Sequence, residues 1–420
     1  MSGTYNWCNM PHVRPQEYPQ ANSSYSLQYV ELIHRHHKRT PYASNTFPRE
    51  SYAWSCSDEG LFYSGAPLPT DGANHSANTY WSVYTSPSNP LAPPGFNGTC
   101  QFPQITRDGL DDSHQHGADL FAVYHGLLNF IPSTYDPKDV TFRVTNNVIT
   151  SQVASMVTSG MYPTLSDTHS PTALLIQPSA IDSLEPGYSC PSASSLQRSY
   201  SISASPSSPW SLHLNLSAPL FSALDSISGI NASDASWHTS WDHYYDNLSA
   251  RLCHSKPLPC DLASNTRCIS QTQADTVFRL GQWEYSHLYR DAPLSLRAST
   301  AAYGIFIAEL AQNLRDVVAG IAGPRYRHNI AHDGSVARVL SLLQVDVMVW
   351  PGMGAEVVFE LFTRVGDGVW VLRVLWGGRV LTSSSPVLGI LDMVELETVL
   401  GYFDGLVGVG AEKVPGLCAA

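Results

Sequence analysis

The segment Arg35-His36-His37-Lys38-Arg39-Thr40-Pro41 places arginines one residue before and three residues after a histidine. Arginine's planar fork matches phosphate oxygens bidentately and stays charged at any working pH. Two such forks can hold a phosphoryl group against the imidazole. A neutral ring nitrogen can then attack phosphorus and form a covalent intermediate. The leaving alkoxide needs a proton, which a protonated carboxyl can supply. A second polar cluster, His332-Asp333, offers that carboxyl in Asp333 and a further donor to phosphoryl oxygens in His332.

Both clusters follow β-favouring, largely apolar runs, LQYVELI at 27–33 and RYRHNIA at 325–331. Open α/β sheets bind ligands beyond the carboxyl ends of their strands. If these two strands are neighbours, His36 and Asp333 meet in one crevice. A metal reading of His34, His36 and His37, or of His114 and His116, lacks the Cys or carboxylate spacing of a closed site. No metal and no organic cofactor is expected.

The remaining chain must build that sheet and close the crevice. Residues 1–24 read as an extended arm and 55–105 as loop-rich. A helix is predicted at 113–129, a strand at 140–145, a helix to about 160 and a strand at 170–178. The Ser/Pro-rich stretch from 180 to 209 reads as a surface loop or linker. Helical spacing returns at 233–252, through Trp237, Trp241, Tyr244, Leu248 and Leu252, and at 271–289, where it predicts a lid. A long amphipathic helix at 300–319, the strand at 325–331, a further helix and a strand pair turning at Gly366-Asp367-Gly368 complete the chain.

The 420 residues carry a formal charge of −12, and only four of the 23 basic side chains are lysines. A net-acidic surface does not hold nucleic acid by counterion release and repels anionic lipid. Phosphate handling must therefore come from a few focused arginines. No apolar run approaches the ~18 residues of a membrane span. Eight cysteines without a CxxC pair, and sequons at Asn22, Asn74, Asn97, Asn215, Asn231 and Asn247, favour an oxidising, secretory route. The start MSGTYNWCNMPHVRP does not read as an export leader.

The run from Arg35 to Pro41 resembles the R-H-G-x-R-x-P signature of the histidine acid phosphatases, branch two of the histidine phosphatase superfamily, and His332-Asp333 resembles that family's distal H-D pair. QITRDGLDDSHQHGADLFAVY at 104–124 and WPGMGAEVVFEL at 350–361 are similar to two further family segments. The likeness covers most of 26–420 and is closest to secreted fungal members labelled phosphoglycerate mutase-like.

The resemblance implies an α/β fold: a mixed, mostly parallel sheet flanked by helices on both faces, with an inserted, mainly helical cap. On this chain the core would be 1–179 and 296–420, and the cap 180–295. It further implies an acid phosphomonoesterase acting on small phosphomonoesters. His36 would be the phospho-accepting nucleophile, Arg35, Arg39 and His332 would bind phosphate, and Asp333 would be the general acid.

Two departures stand out. His37 replaces the signature glycine, where it narrows the backbone options or adds a donor. In the family a third phosphate arginine occupies R-x-T-x-x-x-R-T; here Arg143 matches the first, structural arginine, and Ile149 takes the place of the third. Asn146 or Asn147 is the polar group available to substitute, and Arg143 and His37 are further candidate phosphate contacts. The alternative reading is thus a weak or inactive phosphate- or phosphosugar-binding protein.

Overall fold

The computed structural model describes residues 5–49, 52–57, 61–65, 77–84, 88–89, 98–165, 171–263 and 266–419. Its centre is an eight-stranded mixed sheet. Strand β1 (Tyr25–Arg35) is buried over its last seven residues. It is apolar on both faces, as a strand covered on both sides must be. A small hairpin, β2 (Leu61–Gly65) and β3 (Ala77–Trp81), stands apart from the sheet. The other sheet strands are β4 (Val140–Val144), β5 (Leu174–Leu175), β6 (Tyr326–Ala331), β7 (Glu356–Arg364), β8 (Trp370–Trp376), β9 (Arg379–Val380) and β10 (Val394–Glu395).

The spatial order is β10-β8-β7-β1-β6-β4-β5, with β9 on β8. β1, β6, β4 and β5 pair in parallel, while β7 lies antiparallel to both β1 and β8. Hence β1, β4, β5, β6 and β8 point one way, and β7, β9 and β10 the other. The register sets Arg35 opposite Ala331. The next residues on each strand, His36 and His332, therefore leave the sheet side by side.

Helices cover both faces. Helix α1 (Arg107–Phe121) begins at Thr106, whose side chain accepts from the Gly109 N–H. Together with α2 (Val148–Met161) it packs on Val30, Leu32 and Phe142. The onset lies six residues earlier than the apolar spacing indicates, because the first turns are polar and only their cap marks the start.

Four longer helices follow among the described residues: α3 (Pro191–Ser199), α4 (Pro209–Ser228), α5 (Asp242–Cys253) and α6 (Gln271–Ser286). They are followed by α7 (Ser295–Val318), α8 (Asp333–Leu342) and α9 (Leu396–Val407), which cover Tyr29 and Ile33 on the sheet's other face. A third core joins α4, α5 and α6 through Phe221, Trp241, Tyr244, Tyr245 and Val277, and reaches the sheet domain at Trp7 and Trp350. No helix among the described residues is long and apolar enough to cross a membrane.

Several expectations change. The stretch 180–209 is not a linker: it contains α3, which Cys190–Cys418 ties to the C-terminus. The strand at 170–178 shrinks to the two residues of β5, and part of the stretch, like about half of 55–105, lies outside the described residues. The N-terminal arm is extended but packed in, with Trp7, Met10 and Val13 buried and Cys8 bonded to Cys253. Cys56–Cys100 and Cys260–Cys268 complete four disulfides. The Asn247 sequon is inside the fold, where its amide donates to the Asn45 carbonyl at 2.9 Å, so no glycan fits there. Asn22, Asn215 and Asn231 are exposed, and Asn74 and Asn97 fall outside the described residues.

Candidate active site

The carboxyl ends of β1 and β6 open into a cavity of about 180 Å³ lined by Arg35, His36, Arg39, Tyr42, Asn45, Asp242, Asp246, Tyr285, Asp333 and Trp350. The His36 N–H donates to the Ala331 carbonyl at 3.0 Å, which locks the loop that begins at His36 to the neighbouring strand. Where α1 begins, a Cβ on Gly109 would stand 2.0 Å from the Lys38 carbonyl oxygen. Only glycine lets the helix approach the loop that closely.

His36 has one ring nitrogen committed. Nδ1 lies 2.9 Å from the His37 carbonyl, which can only accept, so Nδ1 carries the hydrogen. Nε2 keeps its lone pair, with Arg39 Nε 3.5 Å away. Burial first, then the charges of Arg39, Arg35 and His332, hold the ring's pKa well below the ordinary histidine value. The imidazole is neutral and aimed as a nucleophile requires.

The flanking arginines are held rigidly. Arg35 donates from Nη1 to the Pro351 carbonyl at 2.7 Å, pairs through Nη2 with Asp333 at 3.1 Å and lies over the Trp7 ring. Arg39 pairs with Asp246 at 3.0 Å and covers the Tyr42 ring. Asp246 also accepts from the Asn45 amide at 2.7 Å and the Tyr42 N–H at 3.1 Å. One carboxylate from α5 thus fastens three groups of the pocket.

Asp333 opens α8, where its side chain is 23% exposed. Oδ2 accepts from Trp350 Nε1 at 2.9 Å and Oδ1 from the Gly334 N–H at 2.7 Å. Burial alone would raise its pKa. Arg35, the Trp350 donor, Arg39 and the Gly334 N–H outweigh it and hold the carboxyl below its usual range. Asp242 behaves oppositely. Although it reaches solvent through the mouth, loss of hydration in the cleft and the charges of Asp246, Asp333 and Glu284 push it up to about 7.

The structure thus brings Arg35, His36, Arg39 and Asp333 together. His332 stands edge-on to His36, with ring centroids 5.4 Å apart, and its Nε2 is 3.0 Å from Thr145 Oγ1. Three further candidates lie elsewhere. Arg143 points away, engaged by Glu309, Gln177 and Ser183 at 2.6–2.9 Å. Asn146 is exposed to solvent and does not line the cavity. His37 is turned inward onto Ser113 and His116. Gly354 makes its room, since a Cβ there would lie 2.7 Å from His37 Nε2. Ile149 is fully buried in the core under the sheet, and among the described residues no third arginine lines the cavity.

Sequence reasoning missed Asp242 and Asp246. Their spacing of four puts both on one face of α5, but in so acidic a chain a carboxylate pair on a helix usually means a solvated face. Tyr42, Asn45 and Tyr285 carried no signal of their own.

A mixed α/β sheet that presents an arginine-flanked histidine and a carboxyl at adjacent strand ends is the architecture of a histidine-type phosphatase. The chain belongs to branch 2 of the histidine phosphatase superfamily, which it matches over residues 26–375. It is 22% identical over 378 residues to counting factor 60 of Dictyostelium discoideum, spanning 88% of this chain and 84% of that one. It is also 22% identical over 281 residues to the bovine (Bos taurus) lysophosphatidic acid phosphatase type 6, spanning 66% and 60%. In fold it resembles the apo phytase of Hafnia alvei, with TM-score 0.60 and 11% identity over 93% of this chain and 99% of that one. The Bifidobacterium longum multiple inositol polyphosphate phosphatase, in complex with inositol hexasulfate, aligns with TM-score 0.52 at 11% identity, over 91% and 93%.

Proposed function

We propose that this phosphatase is an acid phosphomonoesterase working through a phosphohistidine on His36, with Asp333 as proton donor. The observation that carries the reading is the single cavity shared by the His36 ring, both guanidiniums and the Asp333 carboxyl. Arg35 and Arg39 clamp the phosphoryl oxygens, with His332 beside them. His36 Nε2 attacks phosphorus while the P–O bond to the alcohol breaks, and Asp333 delivers the proton to that oxygen. Water then cleaves the P–N bond, assisted by the same carboxylate as base. Four disulfides fit a secreted setting.

Charge balance accounts for acidity of the optimum. Two guanidiniums face three carboxylates in the cavity, Asp242, Asp246 and Asp333. A phosphate ester adds more negative charge, so binding favours the state in which Asp242 holds its proton. As pH rises through about 7, Asp242 ionises and KM climbs. In Asp242→Asn that climb is expected to be reduced about tenfold, the size of one screened charge interaction near 1.4 kcal/mol. KM measured from pH 5 to 8 tests this, and an unchanged profile removes Asp242 from the account.

Helices between residues 180 and 295 supply the cap. A second cavity of about 300 Å³ adjoins the first through Asp242, Tyr285 and Trp350, and adds Ile202, Trp210, Leu288 and Tyr289. This chamber, in which four aromatic rings and two aliphatic side chains face the polar Gln197, Ser201 and Ser240, is where the alcohol of the substrate would sit. Its walls add Glu284, and Arg198 is the one basic residue among them. Aryl or otherwise apolar monoesters should therefore exceed inositol hexakisphosphate in kcat/KM by about tenfold or more. A substrate panel decides it, and preference for the hexakisphosphate would overturn the assignment of the chamber.

Ile149 favours one other reading, a phosphate-binding protein without turnover, because a missing oxyanion donor costs about 100- to 1,000-fold in rate. It predicts calorimetric binding of inorganic phosphate with no hydrolysis of any ester in the panel.

A further inference from the structure

Behind the nucleophile, on the α1 side of β1, three imidazoles meet: His34, His37 and His116, all at 0% exposure. One nitrogen from each lies within 4.8 Å of the other two. The hydrogen bonds of the opposite nitrogens fix the tautomers. His34 Nδ1 is 2.8 Å from the Arg35 carbonyl, an acceptor, so it carries the hydrogen and Nε2 is a bare lone pair. That Nε2 is buried without any partner. His37 Nδ1 is 3.0 Å from Ser113 Oγ, whose own hydrogen is committed to the Gly109 carbonyl at 2.6 Å. The hydroxyl must accept, which leaves His37 Nε2 as a lone pair. His116 Nε2 faces the Glu356 carboxylate at 2.9 Å, and its Nδ1 lies 3.2 Å from His37 Nε2.

We propose that His34 Nε2, His37 Nε2 and His116 Nδ1 are the ligands of one first-row transition-metal ion, zinc being the best match. Three converging lone pairs with no donor between them form an energetically costly arrangement in a dry interior, and a cation resolves it. Neutral imidazoles without thiolates suit zinc, copper or nickel rather than magnesium or calcium. Zinc–nitrogen bonds of about 2.0–2.1 Å place tetrahedral ligands about 3.3 Å apart. The His37–His116 pair already has this spacing.

Each ring also has the outer partner that metal-bound histidines show: a backbone carbonyl, a hydroxyl and a carboxylate. The ion would join the end of β1 and the nucleophile loop to α1 and β7, a structural tie next to His36 through which no step of phosphoryl transfer runs. Neither grouping of histidines along the sequence, His34 with His36 and His37 or His114 with His116, contains this set. The chain turns at His36, His37 swings inward instead, and the third ligand comes from α1, 79 residues further on.

The competing arrangement is a proton shared between His37 and His116, with Glu356 protonated. Metal content separates the two. Untagged protein is produced in zinc-supplemented medium, passed through a chelator and gel filtration, and its zinc counted by emission spectroscopy. About one zinc per chain is expected, together with a melting temperature that falls when the ion is stripped.

The His37→Gly variant restores the glycine of the R-H-G signature and should retain less than about a tenth of the metal, since it deletes a ligand outright. Ser113→Ala should weaken zinc binding about 10- to 100-fold by freeing the His37 ring. His114→Ala, exposed on the same helix, should change nothing. Folded wild-type protein without zinc, or equal zinc in wild type and His37→Gly, would overturn the site.

Discussion

Replacing His36 with alanine is expected to lower kcat for p-nitrophenyl phosphate by about ten-thousandfold or more, the scale seen when an enzyme loses its nucleophile. The ring's Nδ1 is committed to the His37 carbonyl, and its lone pair faces the cavity between two guanidiniums that would hold phosphate. No other imidazole, thiol or aliphatic hydroxyl lines the cavity among the described residues: the remaining groups are arginines, carboxylates, an amide, phenols and an indole. Arg35 and Arg39 keep their anchors on the Pro351 carbonyl and Asp246, so inorganic phosphate should still bind within about a few-fold of its wild-type affinity. Lost turnover with retained binding, measured by calorimetry on a variant with native circular dichroism, is the expected pair of results. Undiminished activity removes His36 from the mechanism.

The second large effect belongs to Asp333. Asp333→Asn should cut kcat for alkyl phosphates by about 100- to 10,000-fold, the usual contribution of a positioned acid. A nitrophenolate leaves without help, so p-nitrophenyl phosphate should lose far less than alkyl phosphates in kcat/KM, which reports only the steps up to the phosphohistidine. Its kcat still falls with the slowed dephosphorylation. This contrast separates proton donation from a structural role, which would harm both substrates alike.

The pH dependence follows from the carboxyl's depressed pKa. In the free protein Asp333 is a carboxylate paired with Arg35, so the proton it donates must enter with the substrate as a phosphate monoanion. Phosphate monoesters lose that proton with a pKa of about 6. As pH rises through this value kcat/KM for alkyl phosphates should fall, and in Asp333→Asn this limb should vanish together with the rate. The variant also frees Arg35 from its counter-charge, so KM should drop while kcat drops. Equal losses of kcat/KM for both leaving groups would contradict the general-acid role.

How much of this was legible beforehand depended on where the information lay. β1 and β6 were readable because buried parallel strands are continuous apolar runs, and each ends in a polar cluster at its carboxyl end. Their adjacency, and the register of Arg35 on Ala331, could only be expected from the convergence the chemistry requires.

The helices above the site were harder to read. α4 carries Pro219 inside it and Pro209 at its start, and α3 sits in a Ser-rich stretch, so breaker residues masked both. Arg143 belongs to the segment that resembles a phosphate-binding one, yet Glu309, Gln177 and Ser183 outcompete the cavity for it. Asp242 and Asp246 acquire meaning only when α5 is laid against Arg39, a contact between residues about two hundred positions apart. His37 was read as a change at the phosphate, because sequence gives a position in the loop but not the side to which the ring turns.

The most direct test is to incubate the protein briefly with a phosphate-labelled ester, quench in alkaline denaturant, where a phosphorus–nitrogen bond survives, and map the label by peptide mass. Label on the peptide containing His36, absent from His36→Ala and accumulating in Asp333→Asn with p-nitrophenyl phosphate, is the predicted result. Hydrolysis of the ester with no label on His36, or with label on another residue, would contradict it.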